Sequence, residues 1–203
     1  QKYKNINKTI SGDFSSASCL IVAGCSIKGK IVLNGLNMKS CQGDKRLVEI
    51  LRRMGADIRI LKNKITIQDG KKLTGMKIGA NDIPDLMPAL AVLGTQAEGR
   101  TKIYNVAQAR LKETDRIKSM TAGLRRMGAK ITERADGLII YPSELKGAKV
   151  KGYGDHRTVM ALAVAGLLAK GETIISDAEA VNKTFPEFYR SMRELGAKLK
   201  LTK

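Results

Sequence analysis

The chain has 203 residues, 43% of them hydrophobic, with 37 Lys and Arg against 19 Asp and Glu for a formal net charge of +18. This composition is globular, the length allows one sizeable domain or two small ones, and no uncharged apolar run reaches the roughly 18 residues of a membrane-spanning helix. The charge predicts anionic partners, but the basic residues are scattered and aromatics make up only 4%, which disfavours nucleic acid and points to small phosphorylated ligands.

Asp13 precedes a run of small and apolar residues that predicts a helix over 15–23, ended by Gly24. Cys19, Cys25 and Cys41 make no CxxC pair and match no zinc spacing with His156, the one histidine. They read as small buried thiols of a reducing, cytoplasmic compartment, and no metal site is expected. A strand is predicted over 30–33 and a second helix over 44–54, where Leu47, Ile50, Leu51 and Met54 form a one-sided stripe. Alternating strands follow over 57–61 and 64–68, joined by a Lys-Asn turn. The same order then recurs. A short strand over 77–78 leads to Asp85, a helix over 86–95, Gly99, a strand over 101–106, a helix over 115–127, and strands over 130–133 and 138–141 joined through Ala135, Asp136 and Gly137. The last set has a strand over 149–150, Asp155, a helix over 156–169, Gly171, a strand over 173–176, a helix over 185–195 and one closing strand over 198–202.

Three landmarks travel with this order. LRRMGA stands at 51–56 and 124–129, with MRELGA at 192–197. KGKIVLNG at 28–35 is matched by EGRTKIYN at 98–105 and KGETIISD at 170–177. Asp13, Asp85 and Asp155 each stand before a helix. A period near 70 residues is the mark of an internal repeat, and units that small bury little core alone. The expected fold is α/β (α+β): one domain over 1–203 made of three pseudo-threefold β-α-β-α-β-β units, near 8–74, 75–147 and 148–203, with helices inside and sheets outside. The alternative is one continuous α/β sandwich. The third unit stops one strand short, so a segment from elsewhere is expected to complete it.

Chemistry is expected where the copies differ. RLKETDRI at 110–117 sets Arg110, Lys112 and Arg116 around Glu113 and Asp115 at a loop-to-helix junction, with Thr114 a candidate N-cap. Glu113 and Arg116 are three apart and can share a face. A salt-bridged helix start would explain this, but the first unit's counterpart, MKSCQGDKRL at 38–47, has no Glu opposite Glu113. In GYGDHRTVM at 152–160, Asp155 can cap a helix whose first turn carries His156 and Arg157. Free backbone N–H groups there favour anions, and Arg157 offers a planar donor fork. Asp85, beside Pro84, reads either as an N-cap or as a site carboxylate; Lys183 lies in VNKTFPEFY, just before the last helix. Together Asp85, Glu113, Arg116, His156, Arg157 and Lys183 describe an acid–base site with an anion clamp, suited to a small acid bearing carboxylate and phosphate.

RLKETDRI, GYGDHRTVMALAVAGL and VNKTFPEFY resemble the motifs of the 5-enolpyruvylshikimate-3-phosphate synthase family, and the likeness runs from GDFSSAS at 12–18 to the end. Related nucleotide-sugar enolpyruvyl transferases share the fold but not this combination. The resemblance implies the second of two domains, each of three units, with the family's extreme N-terminal segment completing this one. It implies transfer of the enolpyruvyl group of phosphoenolpyruvate to the 5-hydroxyl of shikimate 3-phosphate, without metal or organic cofactor, in the pathway that glyphosate blocks. By the same resemblance Asp85 is a proton acceptor at the shikimate ring, and Glu113 protonates and later deprotonates the methylene carbon. Arg116, Arg157, Lys183 and, less directly, His156 hold phosphoenolpyruvate, while Lys112 and Gln108 serve shikimate 3-phosphate. The groups that hold the shikimate phosphate belong to the missing N-terminal domain, so negligible turnover is expected from this chain alone.

Overall fold

The computed structural model describes residue 7, residues 10–68 and residues 71–202, so the start of the first expected unit, residues 8 and 9, lies outside the described residues. Helix α1 (Phe14–Ser26) begins where Asp13 accepts hydrogen bonds from the Ser15 and Ser16 amides. Strand β1 (Lys30–Asn34), helix α2 (Arg46–Arg53) and the hairpin of β2 (Asp57–Leu61) and β3 (Lys64–Gln68) follow, and the three strands form an antiparallel sheet in the order β1-β3-β2. Strand β4 (Lys77–Gly79), helix α3 (Met87–Gln96), strand β5 (Thr101–Tyr104), helix α4 (Arg116–Arg126) and the hairpin β6 (Ile131–Arg134) and β7 (Gly137–Ile140) come next. Their sheet runs β4-β5-β7-β6, with β4 parallel to β5 and the other pairs antiparallel. Last come β8 (Lys149–Val150), α5 (His156–Leu168), β9 (Ile174–Ile175) and α6 (Phe188–Glu194), with β8 and β9 paired in parallel.

Helices α1, α3 and α5 pack on one another and are apolar on every side. Each has almost no polar stripe, which suits a helix surrounded by protein. Ile21, Leu90, Val92, Met160 and Leu162 are buried there, and each helix also leans on a strand of its own sheet. Helices α2 and α4 are one-sided instead: Leu47 and Leu51, or Ile117 and Leu124, face inward, while Arg52 and Arg53, or Arg125 and Arg126, face out. The repeated Gly-Ala that follows α2, α4 and α6 closes each helix. Gly55, Gly128 and Gly196 are left-handed (φ +103°, +88° and +94°), and the next alanine's amide donates back to Leu51, Leu124 or Met192. This is a Schellman end, so the LRRMGA signal marks helix termination.

Several expectations are corrected. Gly24 does not end α1, which continues to Ser26. A Cβ there would lie 3.2 Å from Ile31 and 3.3 Å from Ile67, so the small residue serves the close approach of helix to sheet. The helix expected over 44–54 opens with a 3-10 turn at Gly43–Lys45, and the last helix starts only at Phe188. The strand expected over 173–176 shrinks to Ile174–Ile175, and residues 198–202 form no strand. In the preceding sheet β7 lies between β5 and β6. Among the described residues no such middle strand stands beside 198–202, so their backbone finds no ladder there, and a groove of about 900 Å³ separates them from β9. The thiols also differ from expectation: Cys19 is buried and Cys25 partly so, with burial pushing them up to about 11 and about 12, but Cys41 is exposed.

The tightest backbone crossing predicts a large effect. A Cβ on Gly137 would overlap the Ile103 carbonyl oxygen between β7 and β5. Gly137→Ala is therefore expected to cost about 3 kcal/mol, read from urea unfolding, because backbone must move rather than a side chain.

Candidate active site

The chemistry-bearing residues meet where α3, α4 and α5 begin. Asp155 caps α5, accepting from the Arg157 and Thr158 amides and the Thr158 hydroxyl. The same carboxylate grips Arg116, the first residue of α4, which donates from Nε to Oδ2 and from Nη2 to Oδ1, both at 3.0 Å. Arg116 also donates from Nη1 to Asp85 and from Nη2 to Glu113, each at 2.6 Å. Arg116 is 1% exposed and Asp155 0%, whereas the Asp85 and Glu113 side chains are 36% and 39% exposed. One guanidinium thus ties a buried carboxylate to two that reach solvent. Burial raises the pKa of Asp155 and of Asp85, but Arg116, joined at Asp85 by Lys112 with Nζ at 3.2 Å, outweighs it and holds both below the usual range.

One expected cap is corrected, and one open reading is decided. Asp115, not Thr114, caps α4, accepting from the Lys118 amide. Its other oxygen pairs with Arg110, which also reaches Glu133 and the carbonyls of Arg134 and Ala135, so Arg110 braces the loop. Asp85 sits in the 3-10 turn Pro84–Leu86, a turn with no side-chain cap bond, and its Oδ1 faces both Arg116 and Lys112. The Glu113–Arg116 pairing, three apart in sequence, forms as expected.

The cations differ in what they have left to give. Arg116 spends its fork on protein carboxylates. Arg157 is 7% exposed, and its Nε and Nη1 are buried without a hydrogen-bond partner. A buried guanidinium in that state is a donor fork open to an anion. His156 Nδ1 lies 3.6 Å from Glu113 and 3.7 Å from Asp155. Burial, with the Arg157 charge, pushes its pKa down, so the ring is neutral near pH 7. Lys183 is exposed and donates to the Gly154 carbonyl at 2.8 Å. Gln108 turns its amide to the Asn81 carbonyl at 2.6 Å.

Glu113, Asp155 and His156 bring potential metal-ligand atoms within 4.8 Å of one another. Asp155 has both oxygens committed to Arg116, so it would have to give up that cation to serve an ion. Two features went unread in the sequence. Asp155 looked like a helix cap alone, and nothing local announces its grip on a residue 39 positions earlier. Asp44, buried in the first unit, accepts from the Ser15 hydroxyl, and burial together with the Asp85 charge raises its pKa.

Residues 1–192 match the model of the family described as EPSP synthase (3-phosphoshikimate 1-carboxyvinyltransferase). The chain is 49% identical over 202 residues to the 3-phosphoshikimate 1-carboxyvinyltransferase of Methanocaldococcus jannaschii, covering 99% of this chain and 47% of that protein. It is 51% identical over 197 residues to that of Acetivibrio thermocellus, covering 97% of this chain and 46% of that protein. The solved EPSP synthase of Acinetobacter baumannii superposes with a TM-score of 0.88 at 28% identity, over 96% of this chain and 48% of that one. The chain spans about half the length of the relatives it matches. It belongs to the EPSP synthase family.

Proposed function

We propose that this chain is the second half of an enzyme that moves the enolpyruvyl group of phosphoenolpyruvate onto the 5-hydroxyl of shikimate 3-phosphate, releasing phosphate. The observation that carries the reading is the pairing of two solvent-reaching carboxylates, Asp85 and Glu113, on one buried guanidinium beside the open fork of Arg157. The hydroxyl oxygen bonds to the central carbon of phosphoenolpyruvate while its proton passes to Asp85. Glu113 gives a proton to the methylene carbon, making a tetrahedral intermediate. Glu113 then takes a proton back from that carbon as the C–O bond to phosphate breaks, restoring the double bond, and the leaving phosphate takes up the proton held by Asp85. Arg157, Lys183 and Arg116 offset the charge of the phosphoenolpyruvate anion, with His156 beside them, and Lys112 and Gln108 stand on the shikimate 3-phosphate side. No metal or organic cofactor takes part in this scheme. The reading divides the chain into units near 8–74, 75–147 and 148–203 of one pseudo-threefold domain, in the cytoplasm; no helix of the described residues is long and apolar enough to cross a membrane.

The partner is the N-terminal domain of the same enzyme, which supplies the shikimate-phosphate site. A strand from that part of the protein would fill the groove between β9 and residues 198–202, giving the last sheet a middle strand as β7 does for its own. The test is steady-state phosphate release from phosphoenolpyruvate and shikimate 3-phosphate. Negligible release from the 203 residues alone, and release restored on adding the other half as a separate chain, is the expected result. Strong turnover without the other half would overturn the division of labour; a restored complex that ignores shikimate 3-phosphate would overturn the substrate.

A further inference from the structure

Tyr153 holds a backbone conformation that its side chain disfavours. Residues 152–155 close a tight turn in which the Asp155 amide donates to the Gly152 carbonyl at 3.1 Å. The two central residues, Tyr153 and Gly154, both have positive φ, +58° and +61°. That is the mirror-image type I′ turn, whose central positions normally fall to Gly, Asn or Asp. The other described non-glycine residues with positive φ are Lys62, Asn105 and Asp177, and none of them is aromatic. A bulky residue in this region is an outlier that persists only when its surroundings require it.

The turn is closely packed at its start and loaded at its end. A Cβ on Gly152 would overlap the Ser176 carbonyl oxygen and the Val159 side chain, so the backbone there runs against both. At the other end the Gly154 carbonyl receives Lys183, and the next residue, Asp155, grips Arg116. Lys183 is exposed on a long flexible stem, so a fixed acceptor is what gives its ammonium a place. The tyrosine ring has its own partner: Lys151 Nζ stands 5.4 Å from the ring centroid. Glycine would take up this turn at less backbone cost but would lose the contact between ring and ammonium.

We propose that Tyr153 is a positioning residue whose ring, paired with the Lys151 ammonium, holds the left-handed turn that presents the Gly154 carbonyl to Lys183. Its importance for catalysis rests on the reading of Lys183 as a phosphoenolpyruvate-binding cation. The test separates the two. Acetylation of Lys183 in the unliganded 203-residue chain, followed by mass spectrometry, reports whether the ammonium is held. Tyr153→Ala, which removes the ring without supplying a residue that favours the turn, is expected to raise the Lys183 labelling rate roughly threefold, as for the loss of one hydrogen bond. Lys151→Met, which removes the ring's ammonium partner and leaves the turn residues in place, should move the rate the same way, and Tyr153→Phe should keep the slow rate. Unchanged labelling in Tyr153→Ala and Lys151→Met overturns the proposal, and so does fast labelling in Tyr153→Phe, which would assign the effect to the hydroxyl. Phosphoenolpyruvate titrated by NMR against the native chain and Lys183→Ala judges the other reading. Equal affinity there removes Lys183 from the anion site, while the labelling still decides what Tyr153 does.

Discussion

Arg116→Met is expected to destabilise the chain by about 3–5 kcal/mol, read as a fall in the urea midpoint at pH 7. Methionine keeps much of the length and apolar stem, so the loss is that of the charge. Asp155 is fully buried and receives two hydrogen bonds from Arg116. Without them an ionised carboxylate is left inside the protein with only the start of α5 and Thr158 to compensate it. Asp85 and Glu113 add less, because more than a third of each side chain is exposed and water screens it. The pH dependence has a definite sign. In the native chain Asp155 and Asp85 have depressed pKa values, so their contribution is present above the ordinary carboxylate range and is lost as pH falls through the lowered values. His156, also depressed, adds a loss that begins as pH drops below its ordinary value near 6.5. In Arg116→Met burial is opposed on Asp155 only by the hydrogen bonds from α5 and Thr158, so its pKa rises from the native value, and the deficit is greatest near neutrality and shrinks on acidification. Adding Asp155→Asn to Arg116→Met should recover part of the stability. An unchanged midpoint at pH 7 would mean that the buried pair does not hold these three helix starts together.

The sequence showed the period before it showed the contacts. LRRMGA is legible because a helix that ends in the left-handed region needs glycine and a following amide, and that need is local. The hairpins were legible for the same reason, since strand alternation with a Lys-Asn turn, or with a loop through Ala135, Asp136 and Gly137, leaves little choice, though Gly137 itself opens β7. Gly24 was misread because glycine signals helix ends and tight packing alike, and only the distance to Ile31 and Ile67 separates them. The strand over 198–202 was misread because a strand is a property of a pair. Its residues alternate suitably, but among the described residues no middle strand stands beside them. The candidate site divides along the same line. Glu113 with Arg116 is a three-residue spacing and could be read directly. The grip of Asp155 on Arg116, the turn of Asp85 from cap to ion pair, and the isolation of the Arg157 fork depend on how three helix starts meet, which no local spacing states.

Glu113→Gln is expected to lower turnover of the enzyme reassembled from this chain and its other half by about 10²–10⁴-fold, with phosphoenolpyruvate binding little changed. Glutamine keeps the shape and an oxygen that accepts from Arg116 Nη2, so the cluster should stay assembled. The 39% exposure of the Glu113 side chain argues against a large stability effect from losing its charge. What disappears is a group that can carry a proton to carbon and take one back. The alternative carrier is His156, whose Nδ1 is 3.6 Å from Glu113. Burial and the Arg157 charge push the pKa of that ring down, so the imidazole holds little proton near pH 7. Residual activity in Glu113→Gln that rises as pH falls toward the range where His156 protonates, and vanishes in Glu113→Gln with His156→Ala, would move the proton to the imidazole. A flat, low rate across that range keeps it on Glu113. The unfolding midpoint, measured beside the rate, separates either result from the destabilisation expected of Arg116→Met, because Glu113 and Asp85 on the shared guanidinium reach solvent while Asp155 is sealed beneath it.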